Sequence, residues 1–315
     1  MGVGGELERV CADLNAAIEQ ARSEGYRLDL IFPADEPREA VLSGPGGTLR
    51  LTTSPNAPRP PCDLPAFKPE FVLTRAATSC GEGRAGMLYR DLIPSRLGGH
   101  TIASHITIPR GGPVADWVHY HRVGFQMIAV RSGWVRVVYE DQGDPFVMRA
   151  GDIVLQPPGI RHQVLESGDG LEVIEIGVPA LHETFADHDM ALPSGTVDPA
   201  RLYDGQSFLR HVAAETAWIP FRGGEAQETA MLEATFGRAD VRIVRGTAVD
   251  FPPQLGELSF GFVLSGSAQL VHGEATSIGP ADAFVIPPAK QWSIAGGSDD
   301  FQLLHVATGA LEFFA

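Results

Sequence analysis

Two segments of this chain, 130 residues apart, repeat one pattern, and this repeat limits the folds that the chain can adopt. The segment VLQPPGIRH (154–162) matches FVIPPAKQW (284–292). Because the 315 residues are about twice the common domain length, the repeat indicates one structural unit present twice. The matched positions are Asp152 and Asp282, Pro157 and Pro287, and Pro158 and Pro288.

The repeated unit is predicted to be all-β. Short apolar runs are broken by Gly, Pro and Asp at regular intervals, and the chain contains 36 Gly and 24 Pro. Many short strands with frequent turns are typical of a sandwich or barrel and not of alternating strands and helices. The best predicted strands are 102–108, 125–130, 134–139 and 171–176.

The first 85 residues are predicted to form an arm outside the repeated units. Apolar residues at helical spacing predict a helix over 6–24. Two short strands are expected within 28–53, and a proline-rich extended segment follows over 54–65. The polar stretch 180–200 is the expected linker. The predicted division is therefore 1–85 for the arm, 86–190 for the first unit and 191–315 for the second.

Polar residues of the first unit are spaced as metal ligands. His119 and His121 are two residues apart, so on a strand both imidazoles point to the same face. Gln126 follows on the next predicted strand, and His162 comes after a Pro-Pro-Gly turn. Three imidazoles and an amide oxygen suit one divalent ion, for which Fe, Mn, Ni, Co, Cu or Zn are candidates.

These residues resemble the two motifs of the cupin superfamily. The first family motif, His-x-His followed by Glu and Gly, is here HYHRVGFQMIAVRSG, and the second is here GDIVLQPPGIRH. The sequence departs from the family at Gln126, where Glu is usual, and at Glu166, where Asn is usual. The resemblance implies two jelly-roll barrels, or double-stranded β-helices, with the metal inside the first.

The resemblance also implies an enzyme with an anionic or aromatic small-molecule substrate. The first hypothesis is an Fe(II) dioxygenase, in which the substrate binds the ion through two atoms and dioxygen takes the remaining position. A neutral ligand set keeps the full charge of the ion, which favours an anionic substrate. The alternatives are a non-redox isomerase, cyclase or lyase acting on a sugar acid or natural product, and a cupin that only binds a small molecule.

The second unit is predicted to lack the metal ligands. Alignment on Gly266 and Gly133 places Ser259 at the Gln126 position, and Trp292 replaces His162. Pro252 and Gln254 fall on the two histidines of the first motif. The second unit is therefore expected to be a structural or dimerising half, and the protein a homodimer.

Three further residues are weaker catalytic candidates, each with a structural alternative. A hairpin turning at Ser132-Gly133 would place Tyr139 beside Gln126, on an inward face shared with Ile128, Val130, Val135 and Val137. Tyr139 would then either bind substrate or be a core tyrosine. The same pairing makes the face with Phe125, Met127, Ala129 and Trp134 too apolar for water, so another domain or subunit should cover it. His105 falls on the less apolar face of its strand, and Glu166 is either a base near the metal or a surface residue.

Four more residues are open to two interpretations. His182 and His188 are interpreted as solvated loop residues, with a lid over the site as the alternative. Arg90 and Arg96 either hold an anionic substrate or form surface ion pairs.

Charge and composition exclude several partners. The net charge of −15 disfavours nucleic acid and anionic membranes, and no apolar run is long enough to span a bilayer. The N-terminus does not have a signal-peptide pattern. Three sparse cysteines suggest a reducing compartment, so a cytoplasmic protein is expected.

Overall fold

The computed structural model describes residues 7–56, 60–78, 80–82 and 87–309. The N-terminal arm is one helix packed on a small sheet. Strand β1 pairs in parallel with β4, and the apolar side of the helix, with Leu14, Ile18 and Ala21, packs on the sheet. The elements are β1 (Leu7–Val10), α1 (Leu14–Ser23), β2 (Arg27–Phe32), β3 (Glu39–Gly44) and β4 (Gly47–Thr52).

The predicted helix over 6–24 is too long. The helix begins only after Asp13, whose side chain accepts a hydrogen bond from the amide of Ala16 at 3.0 Å. Residues 7–10 pair instead with the edge of the arm sheet, because β4 offers unpaired backbone groups there. The region 28–53 contains three strands where two were predicted.

The first barrel consists of two sheets that face each other. One follows the order β1-β4-β3-β2-β17-β10-β15-β12-β13, and the other β20-β14-β11-β16-β8-β7-β6. The strands are β6 (Gly81–Glu82), β7 (Leu88–Asp91), β8 (Ile102–Ile108), β9 (Gly112–Pro113), β10 (His119–His121), β11 (Phe125–Ser132), β12 (Trp134–Tyr139), β13 (Phe146–Arg149), β14 (Ile153–Leu155), β15 (His162–Ser167), β16 (Leu171–Val178), β17 (Thr184–Ala186) and β20 (Leu209–His211).

The turn at Gly133 does not form the predicted hairpin. Strand β11 pairs with β14 and β16, whereas β12 pairs with β13 and β15 in the opposite sheet. Gly133, with φ +80°, lets the chain cross from one sheet to the other. The predicted inward faces are nevertheless correct, because alternating residues of both strands still point into the barrel: Gln126, Ile128, Val135, Val137 and Tyr139 line its cavity.

The second barrel repeats this arrangement. Its sheets follow the orders β21-β22-β23-β30-β25-β28-β5 and β24-β29-β26-β27. The strands are β5 (Val72–Thr74), β21 (Ile219–Phe221), β22 (Gly224–Glu228), β23 (Ala239–Arg245), β24 (Ala248–Phe251), β25 (Ser259–Ser265), β26 (Ala268–His272), β27 (Glu274–Ile278), β28 (Ala283–Val285), β29 (Trp292–Ala295) and β30 (Gln302–Thr308). The remaining elements are the hairpin β18 (Leu202–Tyr203) and β19 (Gln206–Ser207), helix α2 (Met231–Ala234), and 3₁₀ turns at Arg96–Gly98 and Ala213–Glu215.

Segments outside the barrels complete their sheets. Strand β5 precedes the first barrel in sequence but pairs with β28 of the second. Strand β17, inside the predicted linker 180–200, pairs with both β10 and β2 and so joins the arm to the first barrel. Strand β20 follows the linker and pairs with β14. The domain limits at 85/86 and 190/191 stay a prediction.

One continuous core lies between the two barrels. Phe125 and Met127 on β11 are fully buried against a cluster that includes Phe260, Phe262 and Leu304 of the second barrel. The outer face of β11, predicted to be covered by another domain or subunit, is therefore covered by the second half of the same chain. Trp134, predicted on the same face, lies instead on β12 in the other sheet. This face consequently gives no support to the predicted homodimer.

Replacing Phe260 with alanine is expected to destabilise the protein by about 3–5 kcal/mol, because the side chain is fully buried between the barrels. Urea unfolding followed by tryptophan fluorescence would measure the loss. The control is Leu255→Ala, since that side chain is 94% exposed and its removal should change the free energy of unfolding by less than about 0.5 kcal/mol. Equal effects of the two substitutions would contradict this account of the core.

Candidate metal centre

The first barrel encloses a cavity between its two sheets. The volume open to the centre of a water-sized sphere is about 140 Å³. Most of the wall is aliphatic, and none of the described residues that line it is Lys or Arg. The polar residues of the wall are Asp35, Tyr89, Ser104, His119, His121, Gln126, Tyr139, Gln156, His162, Glu175, His182 and Thr184.

Three histidines meet on one wall of this cavity. His119 on β10 lies directly opposite His162 on β15, and His121 points to the same side as His119. The ring centroids of His119 and His162 are 4.2 Å apart, and that of His121 is 5.2 Å from His119. One nitrogen from each ring falls within 4.8 Å of the other two, a spacing that could hold a metal ion.

Each imidazole of this cluster is held through its Nδ1 atom. The Nδ1 atoms of His119 and His162 lie 2.8 and 3.1 Å from the carbonyl oxygens of Trp117 and Ile160. Because a carbonyl only accepts, both Nδ1 atoms carry the proton. The Nδ1 of His121 is 3.0 Å from the hydroxyl of Thr184. Metal-binding histidines commonly use the second ring nitrogen in this way, which leaves Nε2 for the metal.

Gln126 lies in the same cavity and is oriented by a carboxylate. Its Nε2 donates to Oε1 of Glu175 on the neighbouring strand at 2.6 Å, which turns the amide oxygen of Gln126 away from Glu175. Sequence reasoning missed Glu175, although it stands at a cavity-facing position of its strand. Glu175 therefore places a carboxylate beside a ligand set that the sequence predicted to be neutral.

Gln156 also faces the cluster and was missed. Its Nε2 lies 2.8 Å from Nε2 of His162. Since the Nδ1 of His162 carries the proton, the amide of Gln156 donates to the lone pair that a metal ion would take. The amide of Gln156 must therefore move when His162 binds a metal. The only sequence signal for Gln156 is its place directly before Pro157-Pro158.

Tyr139 lines the cavity beside the histidines, as predicted. Its ring stacks on His162 with centroids 5.5 Å apart, and the residue is 3% exposed. Burial, with a smaller effect of Glu175, raises the pKa of the phenol well above its usual value, so Tyr139 is protonated near neutral pH. It is placed both to donate to a substrate and to pack in the core, so both interpretations stay open.

His105 and Glu166 lie outside the cavity. Strand alternation turns Ser104 and Ile106 inward and His105 outward, where its ring contacts Arg90 and Glu172. Glu166 forms a half-exposed ion pair with Arg136. The structure therefore gives neither of these two residues access to the metal centre.

The two arginines considered as anion ligands have other contacts. Arg90 is 1% exposed and donates to the carbonyls of Arg75 and Ala281. Arg96 pairs with Asp35 and Asp91. Neither arginine lines the cavity, so the described wall offers a substrate anion no guanidinium.

The interpretation of His182 as a solvated loop residue is wrong. His182 is 3% exposed and lines the cavity, with its ring centroid 5.4 Å from that of His121. The residue is buried because strand β17 follows it and returns the chain along β10. His188, in contrast, is exposed, as expected of a solvated loop residue, and its ring contacts the carbonyl of Leu28.

The second barrel has a cavity at the equivalent place, with different side chains. Gln254 and Ser259 match His121 and Gln126, as predicted, because Ala289 and Ile286 donate to their carbonyls as Gly159 and Gln156 do in the first barrel. Opposite Trp292, however, the strand pairing places Phe251 and not Pro252. The Phe251 and Trp292 rings stack with centroids 3.8 Å apart.

Comparisons with known proteins agree with the two-barrel fold. Residues 104–177 match the Cupin domain family model. No curated protein sequence matches the chain. The structure is similar to salicylate 1,2-dioxygenase from Pseudaminobacter salicylatoxidans, with a TM-score of 0.56 and 17% identity over 79% of this chain and 86% of that one.

Two other solved structures have the same fold. Protein Ylba from E. coli matches with a TM-score of 0.53 and 12% identity over 78% of this chain and 93% of the other. A variant of Bacillus subtilis oxalate decarboxylase matches with a TM-score of 0.52 and 11% identity over 84% and 81%. At these identities the likeness concerns the fold, and it extends over both barrels.

Residues 104–177 therefore form a cupin domain, and the chain has a bicupin-like fold with two barrels in one polypeptide. The predicted all-β class and the two jelly-roll barrels are confirmed. Within the described residues, no helix is long and apolar enough to cross a membrane.

His305, at the second cavity, makes stability depend on pH. Burial, with smaller effects of Arg242 and Arg222, lowers its pKa to about 3, against about 6.5 in an unfolded chain. The neutral ring is thus favoured by folding. Its contribution is complete above pH 6.5 and declines as the pH falls toward 3, by at most about 1.4 kcal/mol per pH unit.

The variant His305→Gln should lose less stability than the wild type between pH 6.5 and 4. Urea unfolding at a series of pH values would measure both proteins. Above pH 7 the two stability curves should run parallel, which serves as the internal control. Parallel curves down to pH 4 would show that His305 does not contribute in this way.

Proposed function

We propose that this protein is a metal-dependent cupin enzyme, of dioxygenase type, that acts on a small aromatic or anionic compound in the first barrel. The observation that carries the proposal is the group of three imidazoles on the wall of a largely apolar cavity. Nitrogen ligands of this kind suit a borderline divalent ion. We propose His119, His121, Gln126 and His162 as the ligands and Fe(II) as the ion, with Mn, Ni, Co, Cu or Zn as alternatives.

The chain's own residues prepare this site. Trp117, Ile160 and Thr184 hold the three rings by Nδ1, so each ring presents Nε2 to the cluster. Glu175 orients the amide of Gln126, and the buried Tyr139 can donate its proton to an oxygen of the substrate. Bound Fe(II) would supply the activation of dioxygen and a positive charge for an anionic substrate group.

The absence of Lys and Arg from the described cavity wall restricts where a substrate anion can bind. Its charge is balanced only at the metal, and the aliphatic wall receives the rest of the molecule. This combination supports a substrate with one anionic, metal-binding group on an apolar body.

Glu175 supports a second candidate, a non-redox isomerase, cyclase or lyase. Such chemistry removes a proton next to a carbonyl, and Glu175 is a carboxylate inside the cavity. A cupin that binds a small molecule without turnover is the third candidate. Oxygen dependence separates the first candidate from the second, and any turnover excludes the third.

His121→Ala is expected to abolish metal binding, because the substitution removes one of the three clustered imidazoles. Elemental analysis of the purified protein after incubation with Fe(II) would measure the loss. Thr184→Val should lower the metal affinity by about 10–100-fold while keeping the site, because Thr184 only holds the ring of His121.

His272→Ala is the matched control for this experiment, since His272 lies in the second barrel on strand β26. Its metal content should equal that of the wild type. Unchanged metal content in His121→Ala would refute the ligand assignment.

The Fe(II)-loaded protein is expected to consume oxygen when its substrate is added. A panel of hydroxybenzoates, catechols and hydroxy acids, measured with an oxygen electrode, would test this expectation. The His121→Ala variant should show no uptake with the same compound. Full turnover without oxygen, or with Zn in place of Fe, would overturn the dioxygenase and favour the non-redox enzyme.

A further inference from the structure

Two buried polar atoms in the first cavity have no hydrogen-bond partner among the described residues. They are Nε2 of His182 and Oδ1 of Asp35. Both residues line the same cavity as the three clustered imidazoles. Because a buried polar atom without a partner costs free energy, such atoms are usually retained where a ligand completes the hydrogen bond.

His182 offers an acceptor to the cavity. Its Nδ1 lies 3.0 Å from the carbonyl oxygen of Pro179, so Nδ1 carries the proton and donates. The residue is 3% exposed, so its Nε2 has no access to bulk water. In a neutral ring protonated at Nδ1, the Nε2 atom is a bare lone pair.

Asp35 offers a second acceptor from the N-terminal arm. Its Oδ2 accepts from Nη2 of Arg96 at 2.7 Å, and Arg96 also donates from Nε to Asp91 at 3.3 Å. This arrangement holds the carboxylate in place. Its other oxygen, Oδ1, is a hydrogen-bond acceptor, as both oxygens of an ionised carboxylate are.

The two acceptors lie at the same end of the cavity. The amide of Ala34 donates to the carbonyl of His182 at 3.1 Å, and strands β2 and β17 pair directly beside them. The two side chains are close enough that the charge of Asp35 acts on the ring of His182. The arm and the linker strand therefore form this wall together.

The strand register separates this polar end from an apolar end. Gly177, opposite Gln126, lies beside His182, because a Cβ atom there would be 3.3 Å from the His182 ring. Glu175 comes next along β16, followed by Val173 and Leu171. Most polar groups thus gather near the imidazoles, and the other end is aliphatic except for Tyr89, which lies beside Ile106.

We infer that His182 and Asp35 form a specificity subsite for a hydrogen-bond donor of the substrate, a hydroxyl or amino group carried close to its metal-binding group. The apolar body of the substrate then lies toward Val173 and Leu171. This inference rests on the proposed function, since it takes the three imidazoles as the metal site. It adds that the substrate donates N–H or O–H at this wall.

The test uses matched probes that share a carboxylate and a ring. One pair is 3-hydroxybenzoate and 3-methoxybenzoate, and the other is 3-aminobenzoate and 3-(dimethylamino)benzoate. Isothermal titration calorimetry under anaerobic conditions would measure their binding to the Fe(II)-loaded protein. The wild type should bind the donor compound of at least one pair about tenfold more tightly than its methylated partner. The pair that shows the preference identifies the donor as oxygen or nitrogen.

Two variants should remove this preference. His182→Phe keeps a ring but removes the acceptor. In Asp35→Asn the amide oxygen must accept from Arg96, so the amide NH₂ turns to the cavity and replaces an acceptor with a donor. Each variant should weaken binding of the donor compound about tenfold and leave the methylated compound unchanged. The controls are His272→Phe, in the second barrel, and Asp144→Asn, on the surface, and both should keep the wild-type preference.

The outcomes separate this inference from the proposed function. No measurable binding, no preference in the wild type, or an unchanged preference in both variants would overturn the subsite. Loss of iron from His182→Phe by elemental analysis would also overturn it, since His182 would then be a ligand. A wild type that binds no metal but keeps the donor preference would overturn the proposed function alone.

Discussion

The sheets at the centre of this molecule are buried on both faces, and the site depends on this burial. Successive residues of a strand point to opposite faces, so β11 sends Gln126 and Ile128 into the cavity and Phe125 and Met127 toward the second barrel. With both faces packed, a register shift would expose aromatic side chains and move Gln126 out of the cavity. The second barrel therefore holds the register on which the metal centre depends, whether or not it has chemistry of its own.

Most polar groups of the described cavity wall are arranged around the three histidines. Hydrogen bonds to Trp117, Ile160 and Thr184 orient the rings. The carboxylates of Glu175 and Asp35 bring negative charge close to the ligand set, while no cationic side chain lines the described wall. A metal ion would thus be the main positive charge of the site. This distribution favours a substrate whose charged group binds the metal and whose apolar body packs against the aliphatic wall.

The two barrels differ because aromatic packing replaces imidazoles at one position of the fold. Where His119 faces His162 in the first barrel, Phe251 stacks on Trp292 in the second. His305 stays neutral there because it is buried and lies near two arginines. The same backbone therefore supports a set of metal ligands in one copy and a packed aromatic pair in the other.

The sequence alone determined the repeat, the all-β class, the three clustered histidines with Gln126, and the inward faces of the strands around Gly133. These features depend on spacing and alternation, which are local properties of the chain. Only the tertiary structure decided that β11 and β12 lie in different sheets, that the arm supplies Asp35, and that His182 and Glu175 face the cavity. Those placements depend on which distant strands pair. The pairing of β17 with β2 and the pairing of β5 with β28 leave no pattern in the local sequence. The counterpart of His119 was misplaced by one residue, at Pro252 instead of Phe251, because strand pairing and not sequence counting sets the register there.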